Sequence, residues 1–386
     1  MKKKLCVITG SRAEYDLLKP IIKKINSEKS FILSVIVTGS HLLKKFGFTY
    51  KKIIDDKIKI KKKINILPEN DDEHAICSAI SNGIKKFSLL LKKNKYDFII
   101  VLGDRYEILS FVIAASFFNI PIIHFSGGEV TSGSIDDRIR HAITKFSKFH
   151  FVSNERYKKR VTQLGENPKK IFNVGSTGPE NIKKEKLLNK SELESQIKFK
   201  FRHQNFLVTY HPVSYEKDYG LKNFMTILKV LSKFKNTGII FTMPNSDIKN
   251  NYFFSAIKDF AKKNKNSKYF ISLGRKKYYS CIKYSDVVIG NSSSGIIEVP
   301  SLKKPTINLG RRQNGRIFAR SVLNCEKITK KKLNNLIKKS LSLKVKNISK
   351  KVINPYEKKN TSGQVIKILK KITQIKDNHK VFFDFN

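Results

Sequence analysis

The chain has no Trp, four Cys, ten Pro and only 31 acidic residues against 78 basic ones in 386 positions. The cysteines (Cys6, Cys77, Cys281, Cys325) form no CxxC pair. That excludes a disulfide-stapled scaffold and a cysteine metal knuckle, and leaves reduced, mostly structural thiols. The eight His are scattered without ligand spacing, so no metal is expected. No apolar run approaches the ~18 residues of a membrane span. The Lys-rich start runs into a strand pattern rather than a signal-peptide core, so a cytoplasmic protein without a membrane partner is expected.

Arginine is scarcer than the basic total suggests. Only 12 of the 78 basic residues are Arg, and seven of them fall in four short motifs. These are Gly10-Ser11-Arg12-Ala13-Glu14-Tyr15, Gly103-Asp104-Arg105-Tyr106-Glu107, Asp136-Asp137-Arg138-Ile139-Arg140-His141 and Gly310-Arg311-Arg312-Gln313-Asn314-Gly315-Arg316, with Arg320 just beyond. Where lysine is the default cation, an Arg offers a planar fork for phosphate or carboxylate that lysine lacks. The net charge of +47 invites a nucleic-acid reading. Its lysines are dispersed and no nucleic-acid signature accompanies them, so no nucleic-acid partner is expected.

Length suggests two domains of ordinary size. Residues 5–9, 32–37, 98–102, 121–125, 150–153 and 172–174 read as buried parallel strands, most of them followed by Gly, Ser or Thr. A second series at 206–210, 238–242, 269–273, 287–289 and 306–309 follows a charged stretch near 183–200, read as a linker. Helical spacing recurs between strands, as in 221–234 and 252–263. The expectation is α/β: two doubly wound, Rossmann-like domains facing a central cleft, spanning 1–180 and 181–360, with a C-terminal helix and tail over 361–386. The last few residues are expected to be disordered.

Ligands in such sheets bind beyond the carboxyl ends of the strands, where the unusual motifs fall. The Gly10-Ser11-Arg12 turn is either an anion cradle or an ordinary strand–helix turn. Asp104 and Arg105 are an acid–base candidate with its cation, or a strand-end salt bridge. The glycines of His124-Phe125-Ser126-Gly127-Gly128-Glu129 leave His124 and Glu129 near the site mouth. Asp136 and Asp137 open a helix, where capping and the dipole account for acids without catalysis, and helical spacing sets Asp136 beside Arg140 and Asp137 beside His141. Tyr210-His211-Pro212 and Pro244-Asn245-Ser246-Asp247 end strands of the second series. Gly290-Asn291-Ser292-Ser293-Ser294-Gly295-Ile296-Ile297-Glu298 reads as strand, hydroxyl-rich turn and helix: a phosphate cradle without the P-loop lysine, with Glu298 one turn on, placed for ribose hydroxyls.

Taken in order and spacing over nearly the whole chain, these motifs resemble the UDP-N-acetylglucosamine 2-epimerase family, most closely its hydrolysing branch. The resemblance runs from Gly10-Ser11-Arg12-Ala13-Glu14-Tyr15 through Gly103-Asp104-Arg105, Gly127-Gly128-Glu129, Ile139-Arg140-His141-Ala142-Ile143-Thr144-Lys145, His211-Pro212 and Gly290-Asn291-Ser292-Ser293-Ser294-Gly295 to Ile307-Asn308-Leu309-Gly310-Arg311-Arg312-Gln313. It implies the two-domain glycosyltransferase-B architecture and a homo-oligomer, dimer or tetramer. It also implies conversion of UDP-N-acetylglucosamine and water to N-acetylmannosamine and UDP, through 2-acetamidoglucal, with neither metal nor redox cofactor. Arg12, Arg105, His211, Asn245, Ser292, Ser293, Glu298 and Arg312 should then contact the UDP-sugar, with Ser292 and Ser293 at phosphate and Glu298 at ribose. Asp104 and Asp136 match catalytic carboxylates. Some relatives carry a catalytic Glu where this chain has Ser126, so Asp104, Glu129, Asp136 and His211 are the candidates for the proton steps. UDP-N,N'-diacetylbacillosamine is an alternative substrate, and a UDP-sugar glycosyltransferase of the same architecture an alternative activity.

Overall fold

The computed structural model describes residues 2–67, 72–244, 249–372 and 379–384. The chain divides into two compact units: Met1–Glu129 with Asp136–Glu180 and Tyr356–Asn386, and Val130–Ile135 with Asn181–Pro355.

Seven parallel strands build the first sheet: β1 (Lys3–Thr9), β2 (Phe31–Val37), β3 (Ile60–Lys63), β4 (Phe98–Leu102), β5 (Ile122–Phe125), β6 (Phe149–Val152) and β7 (Ile171–Asn173), in the order β3-β2-β1-β4-β5-β6-β7. Side chains alternate across a strand, so a buried parallel strand must be apolar on both faces. On β1, Leu5 and Val7 pack with Leu18, Ile22 and Phe149, while Cys6 and Ile8 enter a separate cluster with Phe87 and Phe111. Two cores on opposite faces of one sheet are the doubly wound arrangement expected from the sequence.

The second unit repeats the plan with β8 (Gln204–Thr209), β9 (Thr237–Thr242), β10 (Ser267–Phe270), β11 (Val287–Gly290), β12 (Thr306–Leu309) and β13 (Val322–Cys325), in the order β10-β9-β8-β11-β12-β13. Strand for strand, β8 thus corresponds to β1, β11 to β4 and β12 to β5. Every expected strand is present. The two missed, β3 and β13, are edge strands, and β3 is mostly lysine, a composition that blunts an exposed edge.

The charged stretch near 183–200 is not a linker. It contains the helix Lys190–Ile197, whose Leu193 and Ile197 join Leu207 and Ile240 in the second core. The helix Thr361–Lys371 belongs to the first unit: Val365 and Leu369 pack into the Leu18 cluster, and Lys3 Nζ donates to the carbonyls of Leu369 and Lys370, both at 2.9 Å. Residues 379–384, expected to be disordered, are docked: Lys380 Nζ donates to the Ser147 carbonyl at 2.8 Å and pairs with Glu166 at 2.7 Å, and Phe383 N donates to the Gly165 carbonyl at 2.9 Å. No described helix is long and apolar enough to cross a membrane.

Candidate active site

In the first unit the site is built on the loops leaving β1, β4 and β5. After β1, Ser11 caps the helix Arg12–Ser27, and Glu14 Oε2 accepts from the Gly10 and Ser11 N–H groups at 2.6 and 3.2 Å, completing a capping box. Arg12 opens that helix and is half-buried. Burial, and after it the neighbouring Glu107, push the Glu14 carboxyl up to about 8 although the Gly10 N–H favours the anion. Burial wins because both carboxyls lie inside the protein. A protonated Glu14 still accepts both N–H groups through Oε2.

Asp104 and Arg105 follow β4. Arg105 Nε lies 3.4 Å from Glu107 Oε2. Asp104 is held by Arg140, a side chain only 1% exposed. The Arg140 guanidinium donates to Asp104 Oδ2, to Asp137 Oδ1 at 3.3 Å and to the Glu129 carbonyl at 2.8 Å. One buried cation therefore ties the β4 end, the β5 end and the first turn of the helix Asp136–Phe146 together. Helical spacing sets Asp137 beside His141, and Asp137 Oδ2 lies 3.7 Å from His141 Nε2. Asp136 is half-buried in the same first turn.

His124 and Glu129, expected near the site mouth, are both buried. His124 is fully buried, its Nε2 donating to the Gly103 carbonyl at 2.8 Å and its Nδ1 3.1 Å from Thr144 Oγ1. Burial pushes it down to about 3, so the ring is neutral and serves to fix the Gly103 peptide beside Asp104. Glu129 is buried, with Oε1 accepting from Ser153 Oγ at 3.3 Å. Ser126 adopts φ +66°, left-handed backbone unusual for serine. His41, buried below the β1 loop, bridges Thr9 Oγ1 (3.1 Å) and Thr49 Oγ1 (2.8 Å), and burial pushes it down to about 3.

In the second unit the ends of β8 and β11 are clasped by Asn291, whose Oδ1 accepts from His211 N at 2.7 Å and whose Nδ2 donates to His211 O at 2.8 Å. Both residues are buried. Gly290 is obligatory: with φ +151°, a Cβ there would sit 1.8 Å from the Thr209 carbonyl oxygen. The Asn291 carbonyl in turn accepts from Arg312 at 3.2 Å and from Gln313 Nε2 at 2.8 Å. His211, the serine turn and Arg312 are thus gathered on one amide. The helix after the turn is only Ser294–Ile297, so its dipole adds little; hydroxyls of half-buried Ser292 and Ser293 remain the polar lining. Glu298 closes that helix, its Oε1 accepting from Tyr279 OH. Asn245 lies outside the described residues.

The loop Val130–Ile135 also belongs to this unit. Gly133 lies so close to Arg312 that a Cβ would fall 2.7 Å from its Cα, and Ser132 N donates to the Asn314 carbonyl at 3.3 Å. Among the described residues no three His, Cys, Asp or Glu are grouped to hold a metal ion.

Arg140, Glu107 and Asn291 escaped the sequence reading as site-forming residues. A signal existed for Arg140, since an Arg inside a helix of a lysine-rich chain needs a local reason. None existed for Asn291, whose partner is 80 residues away.

The family model described as UDP-N-acetylglucosamine 2-epimerase matches residues 23–370. The chain is 42% identical over 326 residues to the GDP/UDP-N,N'-diacetylbacillosamine 2-epimerase (hydrolyzing) of Campylobacter jejuni, covering 84% of this chain and 85% of that one. It is also 42% identical over 322 residues to polysialic acid biosynthesis protein P7 of Escherichia coli, covering 83% and 82%. The crystal structure of UDP-GlcNAc 2-epimerase from Neisseria meningitidis bound to UDP-GlcNAc has the same fold, with a TM-score of 0.83 at 19% identity over 96% of this chain and 100% of that one.

Proposed function

This chain belongs to the UDP-N-acetylglucosamine 2-epimerase family, and from that premise we propose that it is a hydrolysing 2-epimerase. It converts UDP-N-acetylglucosamine, or a close analogue, and water to the free 2-epimeric sugar and UDP. The observation that carries this reading is the Arg140 constellation, which presents Asp104 beside the turn bearing Asp136 at the carboxyl ends of parallel strands.

The proton on C2 of the sugar has no adjacent carbonyl, so a free carbanion there is unstable. Loss of UDP from C1 as a base removes the C2 proton avoids it. The C2–H electron pair becomes the C1–C2 double bond, and the C1–O bond breaks with its pair leaving on UDP. Water then adds its oxygen to C1 while a proton returns to C2 on the opposite face. Asp104 and Asp136 carry these proton steps, with Glu129 and His211 as further candidates in place of the carboxylate that Ser126 cannot supply. Arg12, Arg105, Ser292, Ser293 and Arg312 stabilise the departing diphosphate as its charge develops, Glu298 takes the ribose, and Asn245 joins this set by resemblance.

Turnover in deuterated water is expected to place deuterium at C2 of the released sugar, and heavy-oxygen water to label C1, scored before anomeric exchange. Product that keeps its original C2 hydrogen would sink the proposal, and UDP release that waits on an acceptor would favour a glycosyltransferase. A second substrate has specific support, because the Campylobacter jejuni relative is named for UDP-N,N'-diacetylbacillosamine. Side-by-side kcat/KM on the two sugars decides between them. A homo-oligomer, dimer or tetramer, acting in the cytoplasm belongs to the same proposal, and light scattering checks the assembly.

A further inference from the structure

The segment 379–384 closes the far end of the helix that carries Asp136. A helix leaves its last carbonyls without N–H partners of its own. In the helix Asp136–Phe146 that end is met by one ammonium. Lys380 Nζ donates to the carbonyls of Lys145, of Ser147 at 2.8 Å and of Thr144 at 3.4 Å, and pairs with Glu166 Oε2 at 2.7 Å. A cation there also meets the negative pole of the helix dipole. Further contacts seat the segment. Lys148 Nζ donates to the His379 carbonyl, and Phe383 N donates to the Gly165 carbonyl at 2.9 Å. The Phe382 ring lies so close to Gly165 that a Cβ there would fall 2.2 Å from it, and its centroid is 4.8 Å from Lys145 Nζ.

The capped turn is linked to Asp104 by two routes. One turn back from Thr144, Arg140 donates to Asp104 Oδ2. Thr144 itself has Oγ1 3.1 Å from His124 Nδ1, and His124 Nε2 donates to the carbonyl of Gly103, the residue before Asp104. At 11 residues the helix is about 16 Å long and tilts as one rod. A shift at its capped end therefore displaces Asp136 and Arg140 together.

We propose that Lys380 is a positioning residue: by fixing the C-terminal end of the helix Asp136–Phe146 it sets the places of Asp136 and, through Arg140, of Asp104, and so governs turnover rather than UDP affinity. This rests on the reading of Asp104 and Asp136 as the groups that move protons. Proton transfer demands hydrogen-bond reach, so a small displacement of either carboxylate slows it. The groups assigned to UDP lie outside this helix.

Steady-state kinetics beside calorimetric UDP binding, on full-chain variants, tests this. Lys380→Met keeps an unbranched stem and removes the ammonium. Glu166 retains His150 Nε2 and Lys145 Nζ, each at 3.0 Å, so its buried carboxylate is not left bare. Lys380→Met is expected to lower kcat about tenfold while UDP affinity stays within about twofold. Amide exchange should quicken in residues 136–146 ahead of the other helices. Lys380→Arg returns a cation to the helix end and is expected to recover most of kcat. Phe382→Ala loosens the segment without touching the ammonium, and should show the same split at about threefold in kcat. It decides the matter if Lys380→Met does not fold. Wild-type kcat in Lys380→Met, or in Phe382→Ala where that variant decides, overturns the inference alone. So does a loss of kcat matched by an equal loss of UDP affinity, the mark of general loosening. Wild type that turns over neither UDP-N-acetylglucosamine nor UDP-N,N'-diacetylbacillosamine overturns the proposed function and the inference together.

Discussion

Asp104 follows β4 in the first unit and Asn291 follows β11 in the second, equivalent places in two sheets of the same strand order. At the first, a buried guanidinium holds a carboxylate, and the carboxyls of Glu14 and Glu107 flank Gly10 on the neighbouring β1 loop. At the second, an uncharged amide clasps the backbone of the β8 loop, and a backbone carbonyl orients Arg312. The same topological slot is charged in one unit and neutral in the other. Proton transfer needs ionisable groups whose charge is set by buried neighbours. Gripping a diphosphate calls for cations and N–H groups oriented by partners that do not cancel their charge, and a carbonyl does that.

The largest effect should come from neutralising the charged slot. Asp104→Asn is expected to fold, to bind UDP and to lose about 10²–10⁴-fold in turnover. Steady-state kinetics beside calorimetric UDP binding reads both, and near-normal turnover would erase the distinction between the two units. Charging the neutral slot is the converse. Asn291→Asp loses the Nδ2 donor to His211 and places an anion behind the serine turn, so UDP affinity should fall about ten- to hundredfold. A change in kcat at saturating substrate with unchanged UDP affinity would contradict that division of labour.

The smallest effect is on stability against pH, and it should track the first unit, where Glu14, His41 and His124 are buried. Folded His41 and His124 titrate at about 3 against 6.5 ordinarily, so between those values the unfolded chain binds more protons and stability rises with pH. Glu14 titrates at about 8 against 4.5 ordinarily, so the folded chain keeps a proton that the unfolded chain loses, and stability falls as pH rises through that window. These three groups together place the optimum near pH 6.5, with limbs of at most about 1.4 kcal/mol per pH unit for each proton. Denaturant titrations across pH should show the alkaline limb flattened in Glu14→Gln; an unchanged limb would mean that Glu14 is ionised in the fold.

Much of the fold was legible because its signals are local. A parallel strand buried on both faces must be a short apolar run, and β1, β4 and β11 read as such without knowledge of their neighbours. Gly290 and the serine turn stood out for the same reason, and Arg312 because arginine is rare in this chain. Lysine-rich β3 did not, since an edge strand needs little apolar surface and its pairing with β2 is not written in its own composition.

The sequence by itself determined the class of fold, the order of the motifs and their places at strand ends, because hydrophobic period and turn chemistry act over a few residues. Tertiary structure alone decided that Arg140 reaches Asp104, 36 residues away, that Glu129 and His124 are buried, that the loop Val130–Ile135 packs with the Arg312 loop, and that the helix Thr361–Lys371 returns to the first core. Which charges meet, and how far water is kept from them, depends on which strands become neighbours, and that is settled only when distant segments bury the same sheet face.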